Sequence, residues 1–246
     1  MKKEIIEFSK HSIEKVNEID DLIDQYIDDI KDIGETASDL FKPIKAFVSL
    51  YQTTRKIKFR RYLKSYAKGL AEAYSDKEKE GLSSRLKDYL SNENNLNYIY
   101  DTIDSAISSR SISCSGILGY FTSKVLAEQT DISYKELVLV NALRNINDIE
   151  LEMTVRIFEN TKDWTRNNNV HENDRLKPYV KLCEYTVQKL KGLQIFEEVK
   201  SKPGDGVSLG ASFKGTYLIS DISQDFFILI KDSGFYDEYK QKWPSA

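Results

Sequence analysis

Val16, Ile23 and Ile30 lie seven residues apart, and Ile19, Tyr26 and Ile33 repeat that interval three positions later. Such spacing is the a/d seam of an amphipathic helix and predicts one long helix over residues 3–33, with the seam as a candidate surface for self-association. Asp20, Asp24, Asp28 and Asp32 recur on its outer face, and residues 1–33 hold 5 lysines against 10 acids. The predicted helix is strongly acidic. A break at GETASDLFKP precedes a second long helix, expected over residues 44–74. Residues 42–68 contain nine basic side chains and no acid, and Lys56, Arg60, Lys64 and Lys68 recur every four residues beside an apolar face of Phe59, Tyr62, Leu63, Tyr66, Leu70 and Tyr74.

The chain is 246 residues long, with 40% apolar and 30% charged side chains, enough for one large domain or two small ones. Two regions are expected, a helical one over residues 1–130 and a second over 131–246. In the first, DKEKEGLSSRLKDYL, NLNYIYDTIDSAISS and the apolar run from Ile117 read as further helices, and the serine-rich residues 108–116 read as a connection and a helix start. In the second, Ser133 and Glu136 have the spacing of a capping box, with Leu137, Val140 and Leu143 expected on the buried side. Residues 148–163 read as helix, TRNNNVHEND as loop, and LKPYVKLCEYTVQKLKGL as a helix stopped at Gly192. LQIFEEVKS and ASFKGTYLIS read as strands about a turn, and residues 222–231 as a closing helix. Helix, helix, helix, strand, strand, helix is the order of a winged helix-turn-helix. The expected fold class is mainly α, an N-terminal helical hairpin or bundle followed by a winged-helix-like module with a small β-hairpin.

The chemistry available to the chain is narrow. His11 and His171 each stand alone, and Cys114 and Cys183 have no neighbouring cysteine with which to make a metal-ligand pair, so no catalytic residue, metal or cofactor is assigned. An enzyme is the least supported class. His171 reads as a solvated loop residue, Cys183 as a small core residue, and Cys114, without a histidine partner, as a poor nucleophile. SGILG lacks the GK[ST] ending of a phosphate loop. Short, charge-interrupted apolar runs and glutamates in MKKEIIEFSK argue against a membrane span and a signal peptide, which leaves a reducing cytoplasm as the expected compartment.

Charge therefore supplies the candidate sites. Arg55, Lys56, Arg60, Arg61, Lys64 and Lys68 are candidates to meet either the acidic helix or an external anion, whether nucleic acid or an anionic membrane surface. In the winged region Arg175, Lys177, Lys181 and Lys189 are candidates for nucleic-acid contact. Residues 133–232, however, carry 14 basic against 15 acidic side chains, without the basic footprint of a DNA reader, so protein contact or packing is preferred there. The oligomer seam is Val16, Ile19, Ile23, Tyr26, Ile30 and Ile33.

LFKPIKAFVSLYQTTRKIKFRRYLKSYAKGL resembles the proline-started basic helix of a group of small bacterial and phage-borne proteins, some associated with abortive-infection or other phage-defence genes. GILGYFTSKVLAEQTDISYKELVLVNALRNINDIEL is similar to the central helical pair of that group, and QKLKGLQIFEEV with GTYLISDISQDFFILI to its winged end. The resemblance spans residues 40–232 and carries no catalytic residue. It implies a non-enzymatic regulatory or adaptor protein of phage defence that works by protein–protein assembly, as a homo-oligomer or with a protein partner. The residues alone leave two other readings, a winged-helix nucleic-acid-binding protein and a membrane-active effector using the basic helix. No small-molecule substrate is identified.

Overall fold

The computed structural model describes residues 53–73, 89, 91–128, 132–161, 166–199 and 215–242. The predicted acidic helix over 3–33 and its seam, with Val16, Ile19, Ile23, Tyr26, Ile30 and Ile33, lie outside the described residues, as does most of DKEKEGLSSRLKDYL. The chain divides into two compact units, Met1–Ile132 and Ser133–Ala246.

Within the first unit the described helices are α1 (Thr53–Ala73), α2 (Glu93–Ser108) and α3 (Ile112–Glu128). Asn92 starts α2 by accepting a hydrogen bond from Asn94 N at 2.9 Å on Oδ1. α3 packs against both of its neighbours and is buried on nearly every side, which its run of small and apolar residues, ISCSGILGYFTSKVLAE, permits. Phe59 and Tyr62 of α1 are each 2% exposed against it. The α1 backbone comes so close that a Cβ on Gly119 would stand 2.0 Å from the carbonyl oxygen of Tyr62, so only glycine fits. The serine-rich residues form the corner between α2 and α3. Ser115 Oγ donates to Ala106 O at 2.8 Å, Ser109 and Ser115 hydroxyls are 3.0 Å apart, and Ser111 Oγ caps α3 by accepting from Cys114 N at 2.9 Å.

The second unit contains α4 (Tyr134–Asn145), α5 (Asp148–Glu159), β1 (Asn168–Asn169), a 3₁₀ turn (Lys177–Tyr179), α6 (Val180–Gly192), β2 (Phe196–Glu198), β3 (Thr216–Ile219), α7 (Asp221–Asp232) and α8 (Phe235–Lys242). The sheet order is β1-β3-β2, all antiparallel, with Phe196 opposite Ile219 and Asn168 opposite Tyr217. A mainly α fold with a small β-hairpin in a winged-helix-like order is therefore present. Three details differ from expectation. TRNNNVHEND contributes the strand β1, whose two residues are too few for alternation to show. α8 follows α7. On α4 the inward stripe is Val138, Leu139, Ala142 and Leu143, together with Val140, while Leu137 is 54% exposed and continues an outward row from Tyr134.

An aromatic cluster joins sheet and helices. Phe158 lies 5.4 Å from Phe196 and 4.7 Å from Phe227, and Phe196 stacks on Tyr217 at 4.5 Å. The Tyr217 hydroxyl lies 3.2 Å from Thr161 Oγ1, and burial pushes its pKa up to about 12. Cys183 is fully buried with Sγ 3.2 Å from Met153 Sδ, and desolvation pushes its thiol up to about 11, as suits an inert core cysteine. Cys114 is fully buried as well.

Candidate functional site

Arg55 and Lys56 lie in the first turns of α1. Further along, Lys58 Nζ donates to the carbonyl oxygen of Ser109 at the end of α2. Arg60 and Arg61 are half-buried, and the Arg61 side chain crosses α3 at Gly116, where an added Cβ would lie 3.1 Å from its Cγ. Lys68 Nζ pairs with Glu72 at 3.6 Å, and Lys64 is exposed. The basic run thus divides. Lys58 and Arg61 meet α2 and α3, the long stems of lysine and arginine lying along neighbouring helices while carrying their charges outward. Lys64 and Lys68 remain on the outside with Ile57, itself 43% exposed.

A similar division runs through the second unit. Lys189 of α6 is turned inward, with Nζ 2.6 Å from Glu150 Oε2 and its side chain 17% exposed. Glu150 is held by the start of α5, where Asn147 Oδ1 accepts from Glu150 N at 3.0 Å and Glu150 Oε2 accepts from Asn147 N at 2.8 Å. Lys177 Nζ pairs with Asp174 at 2.5 Å. His171 Nε2 lies 2.6 Å from Glu184 Oε1, so this histidine ties the turn after β1 to α6 rather than standing in solvent alone. Among the described residues, Arg175 and Lys181 carry no ion pair, and both are exposed.

The outward stripe of α6 runs through Lys181, Tyr185 and Gln188, all exposed, at i, i+4 and i+7. Tyr185 is 57% exposed, and so is Ile149 at 62%, next to the Glu150 that holds Lys189. Glu197 and Glu198 are exposed on β2, with Glu198 close enough to Lys191 to act on its charge. Residue-type reasoning named the cations of α6 but not Tyr185, Ile149 or the partners Glu150 and Glu184. Asn147-Asp-Ile-Glu150 does carry a capping-box spacing, which was the available signal for Glu150.

α8 closes the outward face of α5. Lys240 pairs with Glu159, Lys242 Nζ lies 2.6 Å from Glu152, and Tyr236 donates to Glu159 at 2.8 Å. Arg156 lies between these acids, 4.9 Å from the ring of Tyr179 and 6.0 Å from that of Tyr239.

Among the described residues, no group of three or more His, Cys, Asp or Glu could hold a metal, and no helix is long and apolar enough to cross a membrane. The chain matches no protein-family model, no curated protein and no solved structure.

Proposed function

We propose that the chain is a non-enzymatic adaptor that acts by protein–protein assembly, in bacterial phage defence. The observation that carries the assembly reading is how the second unit uses its charges. Lys177 and Lys189 are engaged by Asp174 and Glu150, whereas Tyr134, Leu137, Ile149 and Tyr185 are more than half exposed. A phosphate backbone needs free cations, while a protein interface is anchored by large side chains of this kind. The exposed Glu197 and Glu198 at the stem of the wing would repel a nucleic-acid backbone. The setting in phage defence rests on the resemblance of residues 40–232 to the bacterial and phage-borne group.

The test is a plaque assay on cells carrying the gene, together with purification of the tagged chain from those cells. The reading expects fewer plaques and an assembly larger than 28.4 kDa. It also expects both to be lost when Tyr134 and Leu137 become Glu, with the helical circular dichroism kept. Unchanged plaque counts would remove the defence setting, and a bare monomer would remove assembly.

Nucleic-acid binding is the second reading, favoured by Arg175 before the 3₁₀ turn and Lys181 at the start of α6, both exposed and without an ion pair among the described residues. It predicts a binding affinity that falls steeply with salt.

A further inference from the structure

We infer that the acidic segment over residues 3–33 docks on its own chain, with the row Asp20, Asp24, Asp28 and Asp32 against the outward face of α1. The inference goes beyond the proposed assembly and does not depend on it. α1 has one side to offer. Its inward side is taken, with Phe59 and Tyr62 buried and the backbone at Tyr62 too close to Gly119 of α3 for any side chain between them. Outward stand Ile57, 43% exposed, then Lys64, exposed, and Lys68, at i, i+7 and i+11. Among the described residues Lys64 carries no ion pair, while Lys68 pairs with Glu72 at 3.6 Å. The sequence places Lys56 and Arg60 on the same four-residue row.

Charge selects the occupant. Nine basic side chains and no acid lie within residues 42–68, so this face attracts an anion. Of the segments outside the described residues, 34–52, 74–88 and 162–165 each hold as many acids as bases, 129–131 holds a single acid, and 200–214 is basic. Residues 1–33 hold 10 acids against 5 lysines. Spacing agrees with charge. The acids recur every four residues from Asp20 to Asp32 and the cations every four from Lys56 to Lys68, so on two helices both rows advance about 6 Å per charge. The link also reaches, since residues 34–52 can extend to about 60 Å and α1 is about 30 Å long. Each such surface pair is weak, so the row acts as a set that salt loosens. In the predicted helix the seam of Val16, Ile19, Ile23, Tyr26, Ile30 and Ile33 lies on the side away from the acid row. Docking therefore leaves the seam available to assembly and withholds the cations of α1 from nucleic acid.

The experiment is zero-length carbodiimide cross-linking of the full chain, which joins a lysine amine only to a carboxylate in contact with it, read by mass spectrometry on a mixture of ¹⁴N and ¹⁵N chains. Lys64 and Lys68 are expected to be joined to carboxylates of residues 3–33 at least fivefold more often than to those of residues 74–88, within chains of one isotope. Changing Asp20, Asp24, Asp28 and Asp32 together to Asn should lower that yield at least fivefold with the helical circular dichroism kept. Links to the two segments in equal yield, or a yield unchanged in the Asn variant, would overturn the inference. Links found mainly between chains of different isotope would overturn it as well, by assigning the acidic segment to a second copy.

Discussion

Lys189 Nζ and Glu150 Oε2 are 2.6 Å apart, and the carboxylate that receives the lysine also accepts the backbone N–H of Asn147 at the start of α5. One acid therefore fixes the entry of α5 and neutralises a cation on α6. Because Glu150 is 2% exposed, removing its charge strands a partly buried ammonium. Glu150→Gln is expected to destabilise the second unit by about 3 kcal/mol in chemical denaturation, and adding Lys189→Met should recover most of that loss. Full stability in the single variant would show that the pair contributes little.

How far the sequence was legible follows from such pairs. The capping box of Ser133 and Glu136 was readable from three-residue spacing, because capping is local, and it forms as expected, with Glu136 Oε2 2.9 Å from Ser133 N. The cations in and just before α6 are readable as a charge excess, but the fate of Lys189 depends on an acid thirty-nine residues away and that of Lys177 on one three residues away. Only the second separation is visible along a helix turn. Gly192 marked the end of α6, yet the left-handed residue there is Gln194, with φ 64°. Leu137 was placed inside by periodicity, and the structure exposes it because the inward stripe of α4 is centred one residue on, at Val138, Leu139, Ala142 and Leu143.

The glycines of the first unit make a sharper test of packing. A methyl group at Gly119 meets backbone rather than a movable side chain, so α1 and α3 must separate to accept it. Gly119→Ala should cost the first unit more than about 2 kcal/mol, read as a lower melting temperature.

At Gly192 the opposite outcome is expected. An added Cβ there finds nothing within 4 Å and the residue closes an α-helix, so Gly192→Ala should stabilise the second unit by roughly 0.5–1 kcal/mol through lower entropy of the unfolded chain. A drop in melting temperature would contradict the described end of α6.

Alkaline pH should unfold the second unit in a defined window. Burial raises the Tyr217 pKa from its ordinary 10.0 to about 12, so the fold prefers the neutral phenol. Its contribution is complete below pH 10 and declines as the pH rises from there through about 12, by about 2–3 kcal/mol in all. Lys240, raised by its bond to Glu159, loses stabilisation in the same direction as it deprotonates. Tyr217→Phe should flatten the decline in a pH series of denaturation midpoints, and an unchanged slope would discount Tyr217.

The central claim is that the winged-helix-like module, with Lys189 of α6 turned inward onto Glu150, meets protein rather than nucleic acid. Titrating the full chain with a DNA duplex at several salt concentrations tests it most directly. With Arg175, Lys181 and Lys191 the cations in and just before α6 that carry no ion pair among the described residues, the slope of log affinity against log salt should be no steeper than about −3. A slope of about −5 or steeper, relieved by Lys181→Glu, would contradict the account.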